Sequence, residues 1–363
     1  MSHDAPAPHT PAGRVIGVAL ALTLVLTVFV LAFSWPSVTA EPRDLPVAVV
    51  GSDDAVATLR DQLDEAQPGT VELIEADDRE DVIEAIKTRE VYGGVILSDP
   101  ATGEAPEVLT ASAASGVTHQ LMTQLASQMQ QGIQQQANAA TAEALATAQA
   151  QAEAPELPEA PKVTVTDVVP LSADDPRGSG FTAALFPILL GGMIGGIGIS
   201  IAVTGALRRV VAVAVYSVVG AGILVGILHF WFGTIQGDWL LDGGVLALSI
   251  AAIAAPITGF VAVFGRAGIA LGPVLMMLVG NPISGAAMPA EFLPWHWGEI
   301  GQWLPPGASA TLLRDVSYFP EADASAAWLA LALWAGAGVL LSIAGHARAT
   351  GDSRRAEVLT GPV

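Results

Sequence analysis

The sequence predicts an α-helical polytopic membrane protein of about six transmembrane helices, with an extracytoplasmic α/β domain inserted between the first helix and the second. Three observations predict it. Long apolar runs recur: the chain is 52% hydrophobic and only 14% charged, against about 25% charged in an ordinary soluble domain. The charge is unevenly placed: residues 41–180 hold 25 acidic side chains against seven Lys or Arg, and the other 223 residues hold ten against eight. The basic residues outside that acidic segment, Arg314 excepted, fall at the chain ends and at every second connection between the apolar runs.

Residues 1–14 read as a cytoplasmic N-terminus ending in Arg14. Val15 to Trp35 (15–35) is uncharged and long enough to cross a bilayer, which takes about 20 residues. A cleaved signal peptide ending at Val38-Thr39-Ala40 is the rival reading. Its apolar region would be about 7–15 residues after a basic stretch, so an uncleaved anchor is favoured.

Residues 41–180 then change texture. Leu45 to Val50 reads as a buried strand, Ser52 or Asp53 caps a helix carrying Leu59 and Leu63, and Val71 to Ile74 is a second strand. Asp78-Arg79-Glu80-Asp81 resembles a capping box ahead of Val82, Ile83 and Ile86. Val91 to Leu97 is a third strand, and Asp99-Pro100 turns the chain. Strands alternating with helices predict a small α/β domain. Gly116 to Ala154 is rich in Gln and Ala, with Val117, Leu121, Leu125, Met129 and Ile133 on one stripe. That pattern predicts a long helix packed on one partner, stopped by Pro155, Pro158 and Pro161. Lys162 to Leu171 returns as a strand, and Ser172 to Gly180 is a polar hinge.

The membrane bundle occupies 181–345, with spans expected at 181–205, 210–232, 244–264, 269–289 and 326–345. A cytoplasmic tail of 346–363 follows. Arg14, Arg208, Arg209, Arg266, Arg348, Arg354 and Arg355 all fall on one side of this layout. The alternate loops carry Asp238, Asp242, Glu291, Glu299, Glu321 and Asp323. Positive charge stays inside, so both termini are expected in the cytoplasm and residues 41–180 outside, at a bacterial plasma membrane.

The same residues exclude several functions. Net acidity argues against nucleic acid, because phosphate contacts need clustered Lys and Arg. Cysteine is absent, so no disulfide, thiolate nucleophile or Cys-based metal site is available. The six histidines are scattered, and no catalytic residue, metal site or cofactor motif is expected. The acidic pairs Asp53-Asp54, Asp77-Asp78 and Asp174-Asp175 have the chemistry to bind Ca²⁺, but helix caps or a solvated acidic surface are the favoured reading. No Gly-x-x-x-x-Gly-Lys sequence exists, so ATP hydrolysis would belong to another chain. No expected span carries Asp, Glu, Lys or Arg in its interior, which argues against proton-driven transport. His229 reads as an interfacial histidine beside Trp231.

Two stretches stand out as candidate sites. Gly191, Gly192, Gly195 and Gly196 form two small-xxx-small pairs, read as close packing inside the bundle rather than a dimer seam. Asn281, Pro282 and Gly285 interrupt the fifth span, and Pro289 follows. Residues 290–325 form an outer interfacial segment in which Phe292, Trp295, Trp303 and Leu304 would line a short helix at the membrane–water boundary. Arg314 is the one basic residue on the outer side of this half. The break, with Trp295, Trp303 and Arg314 above it, is a candidate outer gate or, with equal weight, a re-entrant end that only anchors the bundle.

With these residues in view, the chain resembles the ABC-2 type exporter permeases, and within them the phage-infection-protein (YhgE/Pip) group. The layout of one helix, an outer domain and five helices is similar. So are Val47 to Gly51, the Val91-Tyr92-Gly93-Gly94-Val95-Ile96-Leu97 segment, and Asn281 to Gly285 followed by Pro289, Pro305 and Arg314. The resemblance implies a homodimeric membrane subunit of an ATP-driven exporter, with a separate nucleotide-binding subunit, moving an amphipathic or lipid-like substrate or a peptide. The chain departs from the family where an ATPase would push. The inner loops, Ala206 to Arg209 and Gly265 to Gly268, are a few residues each, and Met1 to Gly13 shows no amphipathic helix. A second class therefore stays open: a non-transporting envelope protein, such as a secretion or assembly factor or a phage or partner receptor, acting through its outer domain.

Overall fold

The computed structural model describes residues 11–97, 105–151 and 161–360. The turn expected at Asp99-Pro100 and the prolines Pro155 and Pro158 lie outside them. Helix α1 (Ala12–Thr39) leads, exposed along most of its apolar length, with Pro36 inside it.

The α/β domain follows: β1 (Leu45–Val50), α2 (Asp53–Ala66), β2 (Val71–Glu75), α3 (Arg79–Lys87), β3 (Gly93–Ile96), β4 (Glu107–Thr110), α4 (Gly116–Gln151) and β5 (Thr164–Asp167). The sheet order is β2-β1-β3-β4-β5, parallel except for the antiparallel β3–β4 pair. β1 reads as an unbroken apolar run because both its faces are covered. Leu45, Val47 and Val49 pack with Val56 and Leu59 of α2 and with Met122 and Ala126 of α4. Ala48 packs with Val82 and Ile86 of α3. The paired glycines of β3 follow from the same crowding. A Cβ on Gly94 would strike Val82, and one on Gly93 would lie 2.8 Å from the Leu109 carbonyl. The Asp78 carboxylate caps α3, accepting from the Asp81 N–H at 3.0 Å.

Two features differ from expectation. β4 is only four residues long, too short for a strand period to stand out. The packed face of α4 is centred on Thr118, Met122 and Ala126, with Leu121, Leu125 and Met129 of the expected stripe half-buried beside them and Val117 39% exposed. The face rotates because α4 lies on the sheet rather than against another helix.

The membrane half comprises α5 (Ser179–Ala202), α6 (Ala206–Val225, continuing as a π-turn Gly226–Trp231), α7 (Trp239–Phe264), α8 (Gly268–Pro273, continuing as a π-helix Val274–Gly280), α9 (Trp297–Gln302), α10 (Pro305–Tyr318) and α11 (Ser325–Thr360). α7 is the axis. Its residues from Val245 to Gly259 are largely buried, and α5, α6, α8, α10 and α11 surround it. Close approach of α7 and α11 depends on glycine. A Cβ on Gly259 would lie 2.6 Å from the Gly338 carbonyl, and one on Gly345 would lie 2.7 Å from Cβ of Ala262.

Six spans were expected; five helical runs among the described residues are long and apolar enough to cross a membrane. They are Gly13–Thr39, Ser179–Ala202, Ala206–Trp231, Trp239–Gly280 and Ser325–Arg348. The fourth, of 42 residues, doubles back at Gly265–Ala267, where Gly265 adopts φ +63°. The return arm lies on α7, with Gly268 against Phe260 and Gly272 against Ile257. Its helix stops at Gly280 rather than at 289. Thirteen residues rise roughly 20 Å, short of the ~30 Å hydrocarbon thickness.

The segment 290–325 holds the short helix α9 and, beyond what was expected, the longer helix α10. Pro305 and Pro306 start α10 at the positions where a helix needs no N–H donor. α10 is buried against α7 and α11 for most of its length. Asp242 is a further correction. α7 begins at Trp239, so Asp242 sits in its first turn, fully buried. Its carboxylate meets His229 Nδ1 at 3.1 Å and accepts from the Ser317 hydroxyl at 3.2 Å. An apolar run therefore does hold an ionisable side chain, and His229 is its partner.

A candidate binding cleft between the α/β domain and the helix bundle

α3 ends at Lys87, and the chain must turn sharply into β3. Arg89 makes that turn at φ +63°, a left-handed conformation usually given to glycine. The Glu90 N–H closes the motif on the Ala85 carbonyl at 2.9 Å. The side chain that replaces glycine here reaches across to the bundle. Arg89 pairs with Asp315 of α10, both largely shielded from solvent, and its guanidinium lies 5.4 Å from the Phe319 ring centre. The pair compensates backbone strain that costs roughly 1–3 kcal/mol.

Neighbouring contacts fasten the same junction. The Tyr92 hydroxyl donates to Glu291 at 2.9 Å. Burial, reinforced by Glu291, pushes the Tyr92 phenol above its ordinary range, so it stays a donor. Lys87 approaches Glu321 at 3.6 Å. The Glu41 N–H, just past α1, donates to the Phe292 carbonyl at 3.2 Å.

Between domain and bundle lies a cleft of about 460 Å³. Arg89, Tyr92 and Ser115 line it from the domain, and Gly285, Pro289, Gln302, Thr311, Arg314 and Asp315 from the bundle. Gly285, at φ +62°, and its neighbours form one wall. That wall is fixed by its own bonds. The Gln302 amide donates to the Ser284 carbonyl at 2.8 Å, Thr311 donates to Gln302 at 2.6 Å, and Arg314 donates to the Ala286 carbonyl at 3.2 Å. Gly301 lies directly on the Ile283 backbone and Gly298 on that of Ala290. The helix break is thus a packed turn whose polar groups are bonded within the protein.

A smaller cavity of about 220 Å³ adjoins the cleft on the side of α1. Phe33 and Pro36 of α1, Phe186 of α5, Asn281, Pro282 and Leu293 line it, and Thr182, Gly285, Ala287 and Met288 border both spaces. The structure therefore gathers Asn281, Pro282, Gly285, Pro289 and Arg314 around two joined cavities. Trp295 and Trp303 stand apart, 72% and 51% exposed. Trp295 is held at φ +58°, and the Trp303 carbonyl accepts from Trp334 Nε1 at 2.9 Å. The glycines of α5 also lie elsewhere, inside the bundle. Gly192 and Gly196 face α7, and Gly195 faces the Tyr216 ring. The Tyr216 hydroxyl donates to the Gly191 carbonyl at 2.8 Å.

Sequence reasoning missed Arg89, Tyr92, Asp315 and Glu291 as a set. An arginine directly after a helix end, where glycine is usual, was the available signal for the first.

A helical membrane half, an α/β domain between its first two helices and a cleft at their junction are the setting for the comparison with known families. The family model described as ABC-2 family transporter protein matches residues 14–243, more than half of the chain. The chain belongs to the ABC-2 transporter family. The match covers α1, the α/β domain, α5, α6 and the first turn of α7. It makes the protein a multi-pass membrane protein and points to the permease part of an ABC exporter. No curated protein and no solved structure matches the chain. Among the described residues no cluster of three His, Cys, Asp or Glu is placed to hold a metal.

Proposed function

We propose that the protein is the permease subunit of an ABC exporter for an amphipathic, lipid-like or peptide substrate, and that the cleft beneath the α/β domain is where substrate is handled. The observation that carries this is a cleft lined by charged side chains lying beside a second cavity walled by Phe33, Pro36, Phe186 and Leu293, in a chain of the ABC-2 family. The α/β domain and the cleft occupy one end of the bundle. The turns carrying Arg208, Arg209 and Arg266 occupy the other. By the positive-inside rule the domain end faces out and both termini face in. The α7–α8 hairpin, completed by residues 281–289, then serves as two of six crossings. α1, exposed along its apolar length, is available to lipid and to a second copy in a homodimer. ATP hydrolysis is assigned to a separate subunit.

One observation favours a second reading. Among the described residues, the connections on the arginine side are the Val203–Gly205 and Gly265–Ala267 turns, with α11 running on from Arg348 to Thr360. Arg209 is folded back onto the Val203 and Ser200 carbonyls at 2.8 and 2.9 Å. Such short turns suit an envelope protein that acts through its outer domain, such as an assembly factor or a phage or partner receptor. Purification from native membranes in mild detergent separates the two. The exporter reading expects a Walker-motif ATPase to copurify in stoichiometric amount, with its hydrolysis responding to the permease. Recovery of the intact protein without any ATPase would favour the envelope reading.

A further inference from the structure

Arg314 and Arg89 line the same cleft but differ in their partners. Arg89 is neutralised by Asp315 and covered by Phe319. Arg314 is half-buried and has no carboxylate within ion-pair distance among the described residues. It donates to the Ala286 carbonyl and lies 5.1 Å from the Phe181 ring centre. A guanidinium carries five N–H donors, and the Asp315 carboxylate that acts on Arg314 is already paired directly with Arg89, so the shielded cation keeps unused donors that a further anionic group would satisfy. The cleft supplies room for that group.

The mouth has the opposite character. Glu90, Glu291, Glu321 and Asp323 are exposed around it, and among the described residues Glu321 alone of the four is in an ion pair, with Lys87. Such a rim repels a polyanion and favours a cation at the entrance. The adjoining cavity beside Phe33 and Phe186 is apolar on the side of α1.

We propose that the cleft binds a zwitterionic amphiphile, with its anionic group on Arg314, its cationic group at the Glu291 rim and its apolar chain in the cavity beside α1. The inference deepens the permease reading by naming a substrate class, and it rests on that reading only in treating the cleft as the substrate's site. The 285–288 segment, which Arg314 fastens at Ala286, is the wall where head and chain meet.

The test is equilibrium binding of radiolabelled lysophosphatidylethanolamine to the full-length protein in dodecyl maltoside. Three competitors dissect the ligand: lysophosphatidic acid (anion without cation), dodecyltrimethylammonium (cation without anion) and O-phosphoethanolamine (head without chain). The expected result is saturable binding that the zwitterionic lysolipid wins over all three. Arg314→Gln should weaken it by roughly tenfold or more, as loss of a charged hydrogen bond does, while Arg314→Lys retains most of it. Glu291→Gln should narrow the preference over lysophosphatidic acid, and it carries the test if Arg314→Gln does not fold. Absence of saturable binding, equal binding by folded Arg314→Gln, or equal competition by lysophosphatidic acid would overturn the proposal. Equal competition by O-phosphoethanolamine would overturn its apolar half. Because the assay needs no ATPase, binding without a copurifying ATPase would sink the exporter reading alone, and an ATPase without binding would sink the ligand alone.

Discussion

The two ends of the helix bundle are built on different physics. At the domain end, polar groups make the contacts: Arg89 with Asp315, Tyr92 with Glu291, Gln302 with Ser284 and Thr311. The middle and the far end are held by small residues instead, with Gly259, Gly338 and Gly345 bringing α7 and α11 into backbone contact. Polar contacts at the domain end border a cleft with charge in it, whereas the α7–α11 glycine seam sets backbone directly on backbone. Ligand recognition belongs where polar side chains and open volume coincide, and the glycine seam supplies the rigid floor beneath it.

The sharpest way to break this comparison is to attack the seam. Gly338→Leu would drive a side chain into the Ala255–Pro256 backbone of α7. Backbone cannot yield as a flexible side chain does, so the cost should exceed the 1–3 kcal/mol typical of overpacking. We expect the variant to lose its monodisperse peak in size-exclusion chromatography, and a normal peak would show that the seam can separate freely. The next effect is at the domain end. Arg89→Ala strands the buried Asp315 carboxylate and should cost about 3 kcal/mol, seen as a lower melting temperature. Arg89→Gly should cost less, since glycine relieves the left-handed backbone, and a double-mutant cycle with Asp315→Ala isolates the pair. Zero coupling energy would mean that the contact does not fasten the domain.

The smallest effect lies within the sheet. Arg79 donates to Glu107 at 2.7 and 3.0 Å, and Thr166 donates to the same carboxylate at 2.6 Å. The Arg79 hydrogen bond is the main reason the Glu107 carboxyl is held below its ordinary range. A lowered folded-state pKa gives stability that is complete above the unfolded value, about 4.3 for glutamate, and lost as pH falls from there. Glu107→Gln should therefore flatten the acid limb of the domain's melting curve and leave neutral pH less affected. An unchanged acid limb would show the carboxylate to be indifferent.

How much of this was readable in advance depends on the kind of contact. The apolar runs, the acidic domain and the break at Asn281-Pro282 announce themselves by composition and by proline. β1 and the Asp78 cap follow from local pattern. The cleft does not, because Arg89 and Asp315 are 226 positions apart and meet only once the domain is docked. α10 was hidden by the tryptophans before it, which look interfacial while the helix after Pro305-Pro306 turns inward. Asp242 was assigned to a loop because apolarity, not the cap at Asp238, set the expected start of α7.

The account stands on the cleft and the α/β domain facing away from the cytoplasm while the arginine turns face it. The chain contains no cysteine, so single cysteines report this directly. Ser127→Cys on the exposed side of α4 and Ala267→Cys in the exposed α7–α8 turn should be treated with a membrane-impermeant maleimide in intact cells. The account predicts rapid labelling of Ser127→Cys, and labelling of Ala267→Cys only after the membrane is permeabilised. Labelling of Ala267→Cys from outside, with Ser127→Cys protected, would contradict it.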